Sequence, residues 1–240
     1  IDNAIFLEAM LGYDAKDEAS LDKNLKESKF QNEIFDTTLK GIRFGVLKEL
    51  LNDSIYNATV HKMKKAGAEM IEINPERARF NGFTTLLNID MKHDLPNYLA
   101  NNADKNVAVK SVKDVTLFNL KDSLLRAPYG QQLFDGIVKD TTTLKQLEVV
   151  KAGLNSVGKQ FLKDLNDKDL VAILSINNYH SGVAAVAKYP TLTVPMGYKN
   201  NGEPISLTFV GKPFSERTLL KVGYAFEQLT KARKIPKNYQ

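Results

Sequence analysis

Two short runs, Ile42-Arg43-Phe44-Gly45-Val46-Leu47 and Glu69-Met70-Ile71-Glu72-Ile73, decide how this chain folds. Both are rich in β-branched residues and alternate in the manner of strands. Between them Asn52, Asp53 and Ser54 offer helix N-caps, and Tyr56, Val60 and Met63 recur at helical spacing. Lys64 and Lys65 sit where cations suit a helix C-terminus, and Gly67 supplies the stop. Strand, helix and strand within about thirty residues make a βαβ unit, so the sheet is predicted to be at least partly parallel.

Working outward, Ile1, Ile5, Ala9 and Met10 read as one face of a helix ending at Gly12. Asp14 to Leu39 is polar, anchored by Phe30, Ile34 and Phe35, and reads as a surface crossing with one short helix. Arg77 to Val149 reads as mainly helical, punctuated by Pro96 and Pro128 and broken at Asn101 to Asn106. A further helix is expected over Lys151 to Leu165, and a short apolar strand over Leu170 to Ser175. Tyr189 to Met196, flanked by Pro190 and Pro195, reads as a buried strand, and Ala184, Ala185, Val186 and the stretch Thr191 to Val194 read as written for burial on both faces. Asn200-Asn201-Gly202 is a turn, Ile205 to Val210 the returning strand, and Ser215 the cap of a last helix facing inward through Leu219, Val222, Phe226 and Leu229. The expected fold class is α/β, a mixed, partly parallel sheet covered by helices. No linker divides the chain into independent domains.

The 240 residues are enough to bury a core without staples, and 43% hydrophobic with 25% charged residues excludes a disordered or fibrous chain. No apolar run approaches the ~20 residues of a membrane helix. Cysteine is absent, which removes disulfides, a thiol nucleophile and thiolate zinc sites, and leaves the compartment open. The net charge of +5 resides in the last thirty residues, where seven basic residues face two acidic ones. Cations in the last turn of a C-terminal helix explain that better than a nucleic-acid surface, so neither nucleic acid nor membrane is expected as a partner. The first residue is Ile1 and no signal-type segment follows it, so the chain reads as beginning inside a structure.

Motif searches return little. The turn after Leu47 carries no G-x-G-x-x-G, and neither a P-loop nor a G-x-S-x-G elbow occurs. S-x-x-K at Ser20/Lys23 and Ser156/Lys159 is expected by chance. Asp90, His93 and Asp94 share a helix face and could offer metal ligands, but a solvated polar face is the favoured reading because no second cluster completes a shell. His180 and Ser181 are neighbours whose side chains, if extended, point apart, and His61 reads as a surface residue. No metal or cofactor is implied. From its own residues the chain is an α/β domain without a complete catalytic constellation.

The last sixty residues supply a resemblance. Ala187-Lys-Tyr-Pro-Thr-Leu-Thr-Val-Pro-Met-Gly-Tyr198 is similar to the "A-x-Y-P-x-[IL]-T-V-P-x-G" strand of amidase signature enzymes. Gly202 to Glu216 resembles "G-x-P-x-G-[LIV]-x-[FL]-x-G-x-x-[FW]-x-E", and Leu219 to Arg233 resembles "L-L-x-x-A-x-A-[FY]-E-Q-A-T-x-x-R". Upstream, Gly12-Tyr13-Asp14 with Lys16-Asp17 and the strand Lys40 to Val46 agree. Lys92, Asp94, Leu95, Tyr98 and Leu99, with Gly130-Gln131 and Leu133-Phe134, fit the branch related to peptide amidase. The turn Ser175 to Gly182 resembles an "N-N-Y-x-x-G" form of Gram-positive members.

The resemblance covers nearly the whole chain and only the C-terminal half of the family's single domain. It implies an amide-bond hydrolase whose lysine, bridging serine with a cis peptide bond and nucleophilic serine all lie in the N-terminal half. With neither a Gly-Gly nor a Ser-Ser pair, these 240 residues match none of that Gly/Ser-rich stretch, and no residue here takes a catalytic role. The expected partners are the N-terminal half, a small amide substrate and, through apolar surface left bare, a second copy of the chain. A non-catalytic binding or assembly module reusing the half-fold is the alternative. Asn177, Asn178 and Tyr179 follow a strand end, where open α/β sheets place ligands, and Gln131 joins them through the "G-Q" match as candidate substrate-binding residues. The other reading of the Asn-Asn-Tyr segment is a turn closed by asparagines for their own conformational reasons.

Overall fold

The structure, a computed structural model, describes residues 1–16, 20, 29–30 and 34–236. The short helix expected between Asp14 and Leu39 falls largely outside the described residues. Two compact units are present, one formed by Ile1–Ala78 with Gly158–Gln240 and the other by Arg79–Val157.

The first unit carries a five-stranded sheet: β1 (Arg43–Leu47), β2 (Glu69–Ile73), β3 (Ala172–Ile176), β4 (Thr191–Tyr198) and β5 (Pro204–Gly211), in the order β2-β1-β3-β5-β4. β1 pairs in parallel with β2 (Phe44 opposite Met70) and with β3 (Gly45 opposite Ile173). β5 then runs antiparallel to β3 and to β4. The sheet is thus mixed and partly parallel, as the βαβ pattern requires. Every residue of β3, the central strand, is buried, as its largely apolar composition anticipates, with Ser175 the one polar member.

Between β1 and β2 the chain forms α2 (Ser54–Lys65). The Asp53 side chain accepts from the backbone N–H groups of Ile55 and Tyr56, filling two donors a helix leaves free. Tyr56, Val60 and Met63 enter the core beside Phe44, Leu174 and Phe209. Gly67, with φ of +92°, makes the left-handed exit that a side chain would resist. On the sheet also lies α10 (Glu216–Thr230), burying Leu219, Val222 and Phe226.

Four expectations are corrected in this unit. In α1 (Asp2–Met10) Ala4 is the buried residue, packed with Phe30, Ile34 and Leu220, while Ile1, Ile5, Ala9 and Met10 are exposed. β4 is an edge strand with Thr191 and Thr193 exposed and only Val194 and Met196 buried, so it is not covered on both faces. Ala185 is likewise exposed. Ser215 occupies the N-cap position of α10 without capping it, because its hydroxyl donates to the Lys212 carbonyl at 2.6 Å. The last turn of α10 holds no basic residue, and Lys231, Arg233 and Lys234 follow its end, with Lys231 itself in a left-handed C-cap.

The second unit is helical: α3 (Phe83–Asn102), α4 (Val112–Leu120), α5 (Ser123–Arg126), α6 (Gln132–Lys139) and α7 (Leu144–Phe161), whose last turn from Gly158 belongs to the first unit. α3 runs through Pro96, which was expected to interrupt it, giving up the one hydrogen bond that proline cannot donate. α7 begins earlier than Lys151 because Thr143 and Gln146 form a reciprocal cap. In the first unit the chain continues through α8 (Asp164–Asp167), and after β3 through α9 (Ser181–Ala187).

Candidate functional site

Parallel strands β1 and β3 end on the same side of the sheet, where α/β folds collect their ligands. β1 leads into a short 3₁₀ turn, Lys48–Leu50, and β3 into Asn177-Asn178-Tyr179 and α9. The two loops form the candidate site of the first unit.

Asn177 is committed to the fold. It holds a left-handed backbone (φ +45°), its side-chain oxygen accepts from Ser206 N–H at 2.8 Å, and its carbonyl accepts from the Thr208 hydroxyl at 2.6 Å. Asn178 contributes its carbonyl to the Ser181 hydroxyl at 2.8 Å. Tyr179 closes the turn through its backbone N–H to the Ile176 carbonyl, while its side chain stays in solvent, 61% exposed. Asn178 and Tyr179 are both exposed, whereas Asn177 is half-buried. Across the same edge Lys199 pairs with Glu203 at 2.6 Å; that hydrogen bond chiefly raises its pKa, with smaller contributions from Tyr179 and Asp53.

Beneath the turn lies a polar chain that sequence spacing did not single out. The hydroxyl of Ser175 is 2.7 Å from Nδ1 of His180, and Nε2 of the same ring is 3.1 Å from the Glu49 carboxylate. A carboxylate oxygen accepts, which places the ring proton on Nε2 and leaves Nδ1 to accept from Ser175. The imidazole stacks on Phe161, ring centres 5.2 Å apart. Burial, the larger effect, lowers its pKa below the ordinary value, and the neighbouring Glu49 opposes the shift. The shift favours the neutral ring. Ser175 is fully buried, so this Ser–His–Glu series offers no nucleophile to a dissolved substrate. It can orient a loop; it cannot attack. Ser181, the serine next in sequence to His180, turns away to the Asn178 carbonyl. The polar Ser175 inside an apolar strand was the available signal. Glu49, 131 residues from His180, had none.

In the second unit Gln131 occupies the N-cap position of α6 without capping it. Its Oε1 is shielded from solvent and has no hydrogen-bond partner among the described residues. Asp90 pairs with Lys151 at 3.1 Å, and His93 and Asp94 are exposed. Among the described residues no group of three or more His, Asp or Glu is arranged to hold a metal, and no helix is long and apolar enough to cross a membrane.

No family model matches the chain. The fold is similar to that of an amidase family protein from Bacillus anthracis, at TM-score 0.90 and 34% identity, covering 98% of this chain and 48% of that one. It is also similar to native peptide amidase from Stenotrophomonas maltophilia, at TM-score 0.87 and 26% identity, covering 98% and 52%. Among curated proteins, a probable amidase of Arabidopsis thaliana is 27% identical over 250 residues, 96% of this chain and 47% of its own length. These relatives are amidase signature enzymes. The chain spans about half the length of the relatives it matches and corresponds to their C-terminal half.

Proposed function

We propose that the chain is the C-terminal half of an amide-bond hydrolase and that its 240 residues alone have no amidase activity. The observation that supports this best is the match of 98% of the chain to 48% of the Bacillus anthracis amidase family protein at 34% identity. As the family resemblance implies, a lysine acts as general base through a bridging serine, a second serine attacks the carbonyl, and backbone amides hold the oxyanion. All of these belong to the N-terminal half. The residues of this chain supply sheet, covering helices and one wall of the acyl pocket; Asn178 and Tyr179 in the first unit and, separately, Gln131 in the second are substrate-facing, and Asn177 holds the turn that presents them. The substrate is a small amide, and the chemistry needs no cofactor. The "N-N-Y-x-x-G" turn and the likeness to the Bacillus anthracis protein favour a Gram-positive source.

The N-terminal half is the proposed partner, and without it a second copy of the chain. The surface that supports this is the exposed apolar part of α1 (Ile5, Phe6 and Met10) and the open edge of β4. The coding DNA immediately upstream of Ile1 tests the reading. An in-frame Gly/Ser-rich stretch preceded by a lysine is expected, and the whole protein should release ammonia from peptide amides. A start codon at that point would favour the binding module instead.

A further inference from the structure

We propose that Ser175, His180 and Glu49 are positioning residues: their hydrogen-bonded series locks the Asn177–Tyr179 turn and thereby makes the enzyme select amides with large apolar or aromatic acyl groups. The selectivity part rests on the amidase reading above.

Three observations carry it. The Ser175–His180 bond ties the end of β3 to the start of α9, so it closes a loop whose interior is the Asn177–Tyr179 turn. Within that loop Asn177 is held in a left-handed conformation, which a non-glycine residue adopts at a cost and keeps only where its surroundings enforce it. The bonds to Ser206 and Thr208 enforce it from β5, and the histidine from the other end. Glu49 then fastens the ring to the turn after β1, so that the two strand ends bearing the site are joined by one series of side chains.

The placement of these groups argues against a purely packing role. A serine inside a fully buried strand is unfavourable unless its hydroxyl is satisfied, and here, among the described residues, the side chain that satisfies it is a histidine reaching back from the loop. Everything the series holds converges on Tyr179, whose backbone is fixed and whose ring is free in solvent. A rigidly presented phenol offers a wide apolar face at small entropic cost, suited to an aromatic or bulky aliphatic acyl group and indifferent to an acetyl group. Lys199, which could have drawn an anionic acyl group to this edge, is already neutralised by Glu203.

The test compares wild type with Glu49→Ala, His180→Ala and His180→Asn in the whole protein, on acetamide and on an aromatic acyl amide. Glu49 is exposed at the surface, so its variant leaves the core intact. Glu49→Ala and His180→Ala should raise KM for the aromatic amide by about tenfold and move kcat/KM for acetamide by less than about twofold. His180→Asn should restore most of the aromatic preference, since its amide oxygen can accept from Ser175 as Nδ1 does. Equal losses on both amides, or unchanged KM, would overturn the selectivity role. In the 240-residue chain, hydrogen exchange at the Tyr179 amide should accelerate by about tenfold in Glu49→Ala with β1 amides unchanged. Unchanged exchange would overturn the locking of the turn. A wild-type protein that hydrolyses neither amide overturns the amidase reading and the selectivity with it, while the exchange result still decides the lock.

Discussion

The phenolic hydroxyl of Tyr56 donates to the carbonyl oxygen of Leu174 at 2.9 Å, a bond from α2 to the central strand made wholly inside the core. Burial raises the pKa of this phenol far above its ordinary value, and a hydrogen bond with the Leu47 backbone only partly offsets it. Tyr56→Phe keeps the ring and removes the bond, and should cost about 1 kcal/mol in urea denaturation with an unchanged m-value. The sign of the pH dependence follows from the raised pKa. The stabilisation is complete below pH 10, the ordinary tyrosine value, and falls as the pH rises above it, because the unfolded chain then ionises and the folded one does not. A wild-type stability that declines above pH 10 no faster than that of Tyr56→Phe would contradict this account.

Two glycines on α7 should respond to alanine in opposite directions. A Cβ at Gly158 would lie 2.8 Å from the Val183 carbonyl and 2.9 Å from the Ala187 nitrogen, both backbone atoms of α9 that cannot swing aside. A Cβ at Gly153 would meet nothing within 4 Å. Gly153→Ala should stabilise by up to about 1 kcal/mol through helix propensity. In Gly158→Ala the steric cost of about 1–3 kcal/mol outweighs that gain. Thermal melts of the two variants check the pair, and a stabilised Gly158→Ala would refute the close approach of α7 and α9.

Asp53→Ala removes both cap bonds at the start of α2 and should cost about 1 kcal/mol. Asp53→Asn, which keeps an accepting oxygen, should recover most of it. Equal losses in the two variants would show that the charge, not the cap, matters there.

These features were legible to different degrees, and the reason is range. The Asp53 cap, the Tyr56–Val60–Met63 face and the Gly67 stop are local, so residue spacing was enough to place β1, α2 and β2. The inward face of α1 was not legible, because Ile1, Ala4, Ile5, Phe6 and Leu7 surround the helix with apolar side chains and spacing selects no single stripe. Ser215 misled because a hydroxyl donates as readily as it accepts, and here it donates to Lys212. Thr143 and Gln146 did carry a cap signature, which fixes the start of α7. At the site, the Asn177–Tyr179 turn was visible as a strand end. Its support was not: Glu49 meets His180 only through the parallel pairing of β1 with β3.

Within the turn, substitution should separate scaffold from surface. Asn177→Ala loses the bond to Ser206 and puts a residue poorly suited to the left-handed region at φ +45°, so it should destabilise by about 1–3 kcal/mol. Tyr179→Ala leaves every backbone bond in place and should change stability by less than about 0.5 kcal/mol. In the whole protein the same Tyr179→Ala should raise KM or shift acyl preference by more than about tenfold. Unchanged kinetics on several amides would leave the turn as a structural element only.

The most direct measurement of the central claim is amide hydrolysis by the purified 240-residue chain, before and after the polypeptide encoded in frame upstream of Ile1 is supplied with it. The account predicts no turnover of peptide amides or anilides by the chain alone at any concentration, and ammonia or aniline release once the two are combined. Dose-dependent hydrolysis by the chain alone, or none by the combination, would contradict it.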